Sequence, residues 1–122
     1  MAVLAGIAGV RLVVLVQSAR LAGGARTVAT ALRLARGTAL AADATTEVRF
    51  DVARRVCETR DARGTVLEAR SLPPGVGFGS LPARARVLFG GVGTADNATI
   101  TLVAGRRSRR IVVNQRGRVR LQ

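Results

Sequence analysis

The pattern of apolar and polar residues over positions 1–42 predicts one long helix with two halves of different character. Residues 1–16 are apolar on every side of such a helix, with Arg11 as the single charged residue. Over residues 21–40, apolar residues recur at steps of four and three, which places them in one stripe on a 3.6-residue period. The stripe consists of Leu21, Ala25, Val28, Leu32, Ala35 and Ala39. We therefore expect residues 21–42 to be an amphipathic helix that packs against one protein surface.

Residues 1–20, which we term the N-terminal arm, are expected to pack against lipid or other helices. The apolar run of the arm, residues 1–16, is shorter than the roughly 20 residues that span a bilayer, and Arg11 would be costly at the bilayer centre. Three interpretations remain: part of a longer apolar helix that begins upstream, a helix lying at the membrane interface, or a core helix. We favour the first. The residues expected to make the membrane or fibre contacts are Val3, Leu4, Ile7, Val10, Val13 and Val14.

Two adjacent glycines, Gly23 and Gly24, stand between the halves of the helix. A glycine pair is typical of a kink or a flexible joint. It is equally compatible with close packing of the helix against a neighbouring element. The sequence does not separate these two interpretations.

The remainder of the chain, residues 46–122, has the alternation of antiparallel β-strands. In Glu47–Val52, the apolar residues Val48, Phe50 and Val52 share one face, which predicts a half-buried strand. Together with the next two strands it should form a three-strand meander. The further strands are expected at Arg55–Arg60, Thr65–Leu72, Val76–Phe78, Arg86–Phe89, Ala98–Val103, Arg110–Asn114 and Gly117–Leu121.

The last three of these strands should be joined by two hairpins, with loops at Ala104–Arg109 and at residues 114–117. Gly117 suits the left-handed position of a bulged hairpin. Alternation predicts one apolar face directed at the helix stripe, and Arg118 and Arg120 on the opposite face. The apolar face consists of Ile100, Leu102, Ile111, Val113, Val119 and Leu121.

The composition argues against an enzyme. The chain has no His and a single Cys, Cys57, so the usual general base, the usual nucleophilic triads and most metal sites are missing. The seven acidic residues are scattered and mostly flanked by Arg, as expected of ion-pairing surface residues. We therefore expect no catalytic, cofactor or metal site and no small-molecule substrate.

The charge balance is strongly basic, with 20 basic residues, all of them Arg, against seven acidic ones, and a net charge of +13. A GC-rich genome explains the excess of Arg as well as an anionic partner would. Between Asn97 and Gln122 there are seven arginines and no acidic residues. Arginines grouped in this way could bind the phosphate backbone of a nucleic acid without sequence-specific contacts to its bases. These candidate DNA-binding residues are Arg106, Arg107, Arg109, Arg110, Arg116, Arg118 and Arg120.

Two regions of the sequence resemble the GspH/FimT family of minor pilins and pseudopilins. The segment 31–39, ALRLARGTA, resembles the end of the family helix. The segments Thr99–Leu102, Arg110–Val113 and Gly117–Arg120 resemble its terminal hairpins. The resemblance implies an α+β, pilin-like fold, in which the long N-terminal helix packs against an antiparallel β domain over residues 21–122.

The same resemblance implies a non-enzymatic subunit of a type II secretion system or type IV pilus that acts by assembly with other subunits. It implies an inner-membrane protein with a single N-terminal helix and a β domain in the periplasm or in an extracellular fibre. Members of the family begin with a leader that ends in Gly and is followed by Phe-Thr-Leu-x-Glu, and a prepilin peptidase cuts the chain there and methylates the new N-terminus. The given sequence does not contain this motif. We therefore expect the true start to lie upstream, since about ten added residues would give the arm a spanning length.

Two alternatives concern nucleic acid. In the FimT branch of the family, a Gly-Arg-x-Arg ending is associated with DNA capture, and here it matches residues 117–120. The first alternative is therefore a minor pilin that binds duplex DNA for uptake through its C-terminal arginines. The second alternative is a soluble, basic nucleic-acid-binding protein unrelated to pili.

Overall fold

The computed structural model describes residues 2–122, and their side chains from Arg11 onward. A single helix, α1 (Ala2–Ala42), precedes eight strands, with one 3₁₀ turn at Ala83–Ala85. The predicted α+β fold, with a long N-terminal helix packed on antiparallel strands, is confirmed. The strands are β1 (Thr46–Asp51), β2 (Val56–Arg60), β3 (Val66–Ser71), β4 (Gly77–Phe78), β5 (Arg86–Phe89), β6 (Ala98–Ala104), β7 (Arg107–Val113) and β8 (Val119–Leu121).

The strands form two four-stranded antiparallel sheets. The first sheet has the order β3-β2-β1-β5, and the second has the order β4-β6-β7-β8. The predicted meander is confirmed as β1, β2 and β3, with Phe50 opposite Cys57 and Glu58 opposite Ala69. The division into two sheets was not predicted, because it depends on the non-local pairs β1–β5 and β4–β6.

The helix stripe forms the centre of the core. Each of the six stripe residues predicted above is at most 3% exposed. They meet the inward faces of both sheets, including Val48 and Phe89 from the first and Ile100 and Ile111 from the second. Burying a Val, Leu, Ile or Phe side chain stabilises the fold by about 1.5–3 kcal/mol. The amphipathic half of α1 is therefore an internal element shared by the two sheets.

Helix α1 runs unbroken through Gly23 and Gly24, and only Gly24 is in close packing with the sheets. A Cβ atom at Gly24 would lie 3.2 Å from Val76 Cγ1 and 3.3 Å from Leu102 Cδ1. A Cβ atom at Gly23 would meet only Pro73 Cγ, at 3.9 Å. Gly24 thus lets the helix approach the second sheet closely, whereas Gly23 has room for a methyl group.

Three details of the strand predictions are wrong. Val52 does not extend the buried face of β1, because Asp51 Oδ1 accepts a hydrogen bond from the Arg54 N–H at 3.0 Å and turns the chain there. Leu121 lies at the end of edge strand β8 and is exposed. The predicted loop Ala104–Arg109 is only two residues long, since Ala104 pairs with Arg107.

Gly23 and Gly24 provide two adjacent positions of α1 at which substitutions should have opposite effects. We expect Gly23→Ala to stabilise the protein by about 0.5–1 kcal/mol, because alanine has the higher helix propensity and its methyl group fits. We expect Gly24→Leu to destabilise it by about 1–3 kcal/mol, because the side chain would overpack the contact with Val76 and Leu102. Urea unfolding of both variants measures the difference. A flexible joint at this position would instead tolerate both substitutions equally.

Candidate functional site

The β6–β7 hairpin places Arg106 and Arg107, which we term the proximal arginines, beside the N-terminal part of α1. Gly105 has a φ of +61° at the first of the two loop positions, as a tight hairpin turn requires. A Cβ atom on Gly105 would lie 3.0 Å from Gln17 Nε2, so the turn touches the helix. Arg107 Nη1 donates a hydrogen bond to Ser18 Oγ at 2.7 Å.

The β7–β8 hairpin places Arg118 and Arg120 at the other end of the helix contact. They line an open groove of about 490 Å³ between α1 and β8, which we term the distal groove. Arg33 Nη2 donates to the Val119 carbonyl at 3.1 Å, and Arg36 Nε donates to the Gly93 carbonyl at 3.0 Å. The lining residues are Arg33, Arg36, Gly117, Arg118, Val119 and Arg120.

The seven arginines therefore do not form one patch. An α-helix rises 1.5 Å per residue, so Ser18 and Arg33 are about 22 Å apart along the axis of α1. Arg107 and Arg109, which the predicted loop Ala104–Arg109 includes, lie instead on β7, which begins at Arg107. Arg109 shares the inward face of β7 and is half-buried, whereas Arg110 is exposed on the outer face. Arg116 is exposed in the β7–β8 turn.

The β7–β8 turn fixes the direction of the distal arginines. Gly117, at a φ of +79°, donates its N–H to the Asn114 carbonyl at 2.9 Å. Asn114 Oδ1 accepts from the N–H groups of Arg116 and Arg118 at 3.0 and 2.9 Å. A Cβ atom on Gly117 would lie 2.1 Å from the Gly93 carbonyl oxygen and 2.7 Å from Arg36 Nε. Glycine is thus required here both by the turn and by contact with the helix arginine.

Two members of the distal groove, Arg33 and Arg36, were not among the candidate residues. Neither residue belongs to the predicted stripe of α1, and in the structure Arg33 is exposed and Arg36 is half-buried. Their spacing of three residues puts them on one side of the helix, which is the available signal. Their position beside Arg118 depends on the packing of β8 along α1, and no local pattern encodes that packing.

The ion pairs of the described residues leave the arginines of both regions without carboxylate partners. All of these pairs lie on the first sheet or its turns, which confirms the ion-pairing role of the glutamates. They are Arg49–Glu47, Arg54–Glu58, Arg60–Glu58, Arg70–Glu68 and Arg86–Glu47. Asp61 instead accepts backbone N–H groups in the β2–β3 turn. The positive charge of the proximal arginines and of the distal groove is therefore uncompensated by ion pairs within residues 11–122.

The structure offers little support for nucleophilic chemistry at the lone cysteine. Cys57 is buried on β2, and burial raises the pKa of its thiol to about 12. A thiol with that pKa is neutral at physiological pH, and the thiolate is the reactive form. Over the part of the chain that the structure describes, no three His, Cys, Asp or Glu residues cluster as a metal site would need.

The described part of the N-terminal arm is apolar and exposed. Leu12 and Leu15 are 62% and 66% exposed, and Val13 and Val16 are exposed as well. Val14 is half-buried. Of the predicted contact residues, Val3, Leu4, Ile7 and Val10 lie outside the residues whose side chains are described. Among the described residues, we find no helix with both the length and the apolar character needed to cross a membrane.

A long N-terminal helix packed along antiparallel sheets defines a pilin-like protein, and the sequence comparison is specific about which kind. Residues 24–117 match the family described as Type II transport protein GspH. The match spans more than half of the chain, and the chain therefore belongs to the GspH family. No curated protein sequence matches it.

Solved structures of minor pilins and pseudopilins share the fold. The type IV minor pilin FimU of Pseudomonas aeruginosa is similar with a TM-score of 0.70 and 16% identity, over 84% of this chain and 87% of FimU. The minor pseudopilin EpsH from the type 2 secretion system of Vibrio cholerae gives 0.67 and 17%, over 84% and 96%. Fold and family together support a structural subunit role in a type II secretion system or a type IV pilus, with a periplasmic or fibre-associated β domain. They support neither nucleic-acid alternative, the minor pilin that binds DNA for uptake or the basic nucleic-acid-binding protein unrelated to pili.

The two constraints on Gly117 can be separated by a matched substitution. Gly64 has a similar φ of +82° but no atom within 4 Å of a Cβ position. We expect Gly64→Ala to cost about 1–2 kcal/mol, the usual penalty for a left-handed residue. We expect Gly117→Ala to cost about 2–4 kcal/mol, because its methyl group also collides with the Gly93 carbonyl. Equal losses in urea unfolding would mean that the β7–β8 turn does not lie against the Gly93 carbonyl and Arg36.

Proposed function

We propose that this chain is a non-enzymatic minor pilin or pseudopilin that enters its fibre through the N-terminal arm. The observation that carries the proposal is the contrast between the two parts of α1. The stripe from Leu21 to Ala39 is buried inside the domain, whereas Leu12, Val13 and Leu15 are each more than half exposed. A contiguous apolar surface of this kind is typical of an interaction site.

The partners that suit this surface are the equivalent helices of other pilin or pseudopilin subunits. With 3.6 residues per turn, the exposed residues Leu12, Val13, Leu15 and Val16 span about 160° of the helix circumference, which is wide enough for contacts with more than one partner helix. Before assembly, the inner membrane is the environment that suits the arm, with the β domain on the periplasmic side. The same arm then exchanges lipid contacts for helix contacts during assembly.

A charge placed in the arm tests this proposal. We expect Leu15→Asp to lower the amount of this subunit in the sheared fibre fraction by more than tenfold, because a buried Asp in an apolar helix contact costs roughly 2.5 kcal/mol or more. Leu34→Asp is the matched control, since Leu34 is an exposed leucine on the part of α1 that packs on the sheets. Quantitative immunoblotting of the fibres, with thermal unfolding of both variants, provides the measurement.

The control should enter the fibre within about twofold of the wild-type level. If both variants assemble equally well, the arm is not the packing surface. If both fail while both remain folded, the contact includes the outer face of the whole helix.

A second candidate function is the capture of duplex DNA, and the distal groove is the observation that favours it. Arg118 and Arg120 are exposed, and Arg33 and Arg36 lie in the same groove with hydrogen bonds to backbone carbonyls that hold their side chains in place. Such an arrangement suits contacts to phosphates, which position a duplex without reading its sequence. Of the seven original candidates, Arg118 and Arg120 are the two that remain in this proposal.

A salt titration tests the DNA proposal. We expect the full chain, kept soluble in a non-ionic detergent, to bind short duplex DNA with micromolar affinity. The pair Arg118→Glu/Arg120→Glu should weaken binding and lower the slope of log K against log salt by about 1.8, as expected for the loss of two phosphate contacts. The pair Arg106→Glu/Arg107→Glu makes the same change in net charge at the other end of the molecule. Equal effects of the two pairs would mean that binding depends on net charge and not on the groove.

A further inference from the structure

The proximal arginines lie where the apolar surface of α1 ends. Val16 is the last residue of the apolar run, and Gln17 and Ser18 are in contact with the β6–β7 turn. Leu15 is three residues before Ser18, about 4.5 Å along the helix axis. The tip of the hairpin is therefore level with the boundary between the apolar arm and the polar part of the helix.

The same boundary carries positive charge with no acidic residue nearby in sequence. Residues 1–42 and 97–122 contain no Asp or Glu. Arg20 is exposed two residues after Ser18, and Arg106 and Arg107 are exposed on the hairpin. Among the described residues, Arg107 makes one side-chain hydrogen bond, to Ser18, so most of its guanidinium N–H groups are available to an external acceptor.

An apolar recess lies beside the proximal arginines, next to the arm. It has a volume of about 360 Å³ and lies between the arm, the loop after β3 and the end of β6. Its walls include Leu12, Val16, Pro74 and Ala104, with Arg20 at its edge. Apolar groups next to exposed arginines are the combination found in segments that bind at a bilayer surface.

We propose that Arg106 and Arg107 bind anionic phospholipid headgroups, so that the tip of the β6–β7 hairpin rests on the membrane surface beside the arm. This inference rests on the proposed residence of the arm in the membrane before assembly. Phosphodiester oxygens accept the N–H groups of arginine in charge-assisted hydrogen bonds. The contact between Arg107 and Ser18 keeps the hairpin at the height of the headgroups when the apolar arm is in the hydrocarbon region.

Contact between the β6–β7 hairpin and the lipid headgroups would fix the orientation of the subunit. A helix that enters a bilayer by itself leaves the attached domain free to tilt and to rotate about the helix axis. A second contact at the hairpin removes that freedom on one side of the helix. The distal groove, about 22 Å further along the axis, is then held away from the membrane surface.

Binding to vesicles of two compositions tests the inference. The full chain is transferred from detergent to vesicles of phosphatidylcholine alone, or of phosphatidylcholine with 30 mol% phosphatidylglycerol (about one lipid in three, chosen to give a strong surface potential). Flotation over a range of lipid concentrations gives the concentration at half binding. Each arginine near an anionic surface contributes about 1 kcal/mol, which is about fivefold in affinity.

We expect the wild type to prefer the anionic vesicles, and Arg106→Gln/Arg107→Gln to raise the half-binding lipid concentration there by about 25-fold, with little change for phosphatidylcholine. Arg106→Lys/Arg107→Lys should keep the preference, which separates a charge effect from a folding defect. Arg118→Gln/Arg120→Gln, with the same loss of charge at the distal groove, should also keep it.

Three results would overturn the inference. Equal binding of the wild type to both vesicles would place the arm in the membrane without the hairpin contact, and the proposed function would stand. Equal losses from the two Gln pairs would show an effect of net charge. Binding to neither vesicle would overturn the membrane residence of the arm together with the hairpin contact.

Where flotation is complete at every lipid concentration, hydrogen exchange of the Gly105–Arg107 amides decides the matter. The inference predicts slower exchange on anionic vesicles than on phosphatidylcholine, and equal exchange would contradict it.

Discussion

The packing of one face of α1 against two β-sheets is the contact on which the rest of the structure depends. Each sheet has a single apolar face, and the helix stripe covers part of both. Small residues make the approach possible: Ala25, Ala35 and Ala39 are fully buried, and a Cβ atom at Gly24 would be in tight contact with Val76 and Leu102. Because the stripe is buried inside the domain, it is not available to other subunits, and the exposed apolar residues of the arm are the part of α1 to which we assign the fibre contacts.

The same packing determines where positive charge is available. Glutamates of the first sheet neutralise the arginines around them, as in the pairs of Glu47 and Glu58. The second sheet and α1 carry arginines without such partners among the described residues, and the helix separates them into the proximal arginines and the distal groove. One basic composition therefore gives two surfaces with different neighbours. The proximal arginines adjoin apolar helix, whereas the distal groove adjoins turns and backbone carbonyls.

Much of this architecture could be predicted from sequence because its signals are local. The 3.6-residue stripe, the alternation of β1 and the glycine at position 117 each specify an element from a few neighbouring residues. The rest depends on contacts between distant segments. Pairing of β1 with β5 creates the first sheet's fourth strand, and a positive φ at Gly105 shortens a loop and extends β7 to Arg107. Arg33 joins Arg118 only because β8 packs along α1, so the distal groove could not be found by scanning the C-terminal segment alone.

We propose that α1 has an internal part, which holds the domain together, and an external part, which assembles with other subunits. Hydrogen exchange along α1, measured on the free full chain and on fibres that contain it, tests this claim most directly. The account predicts that amides of residues 21–42 are strongly protected in both states, whereas amides of residues 11–20 exchange quickly in the free chain and become protected in the fibre. Equal protection of residues 11–20 in the two states, with new protection confined to the β domain, would contradict it.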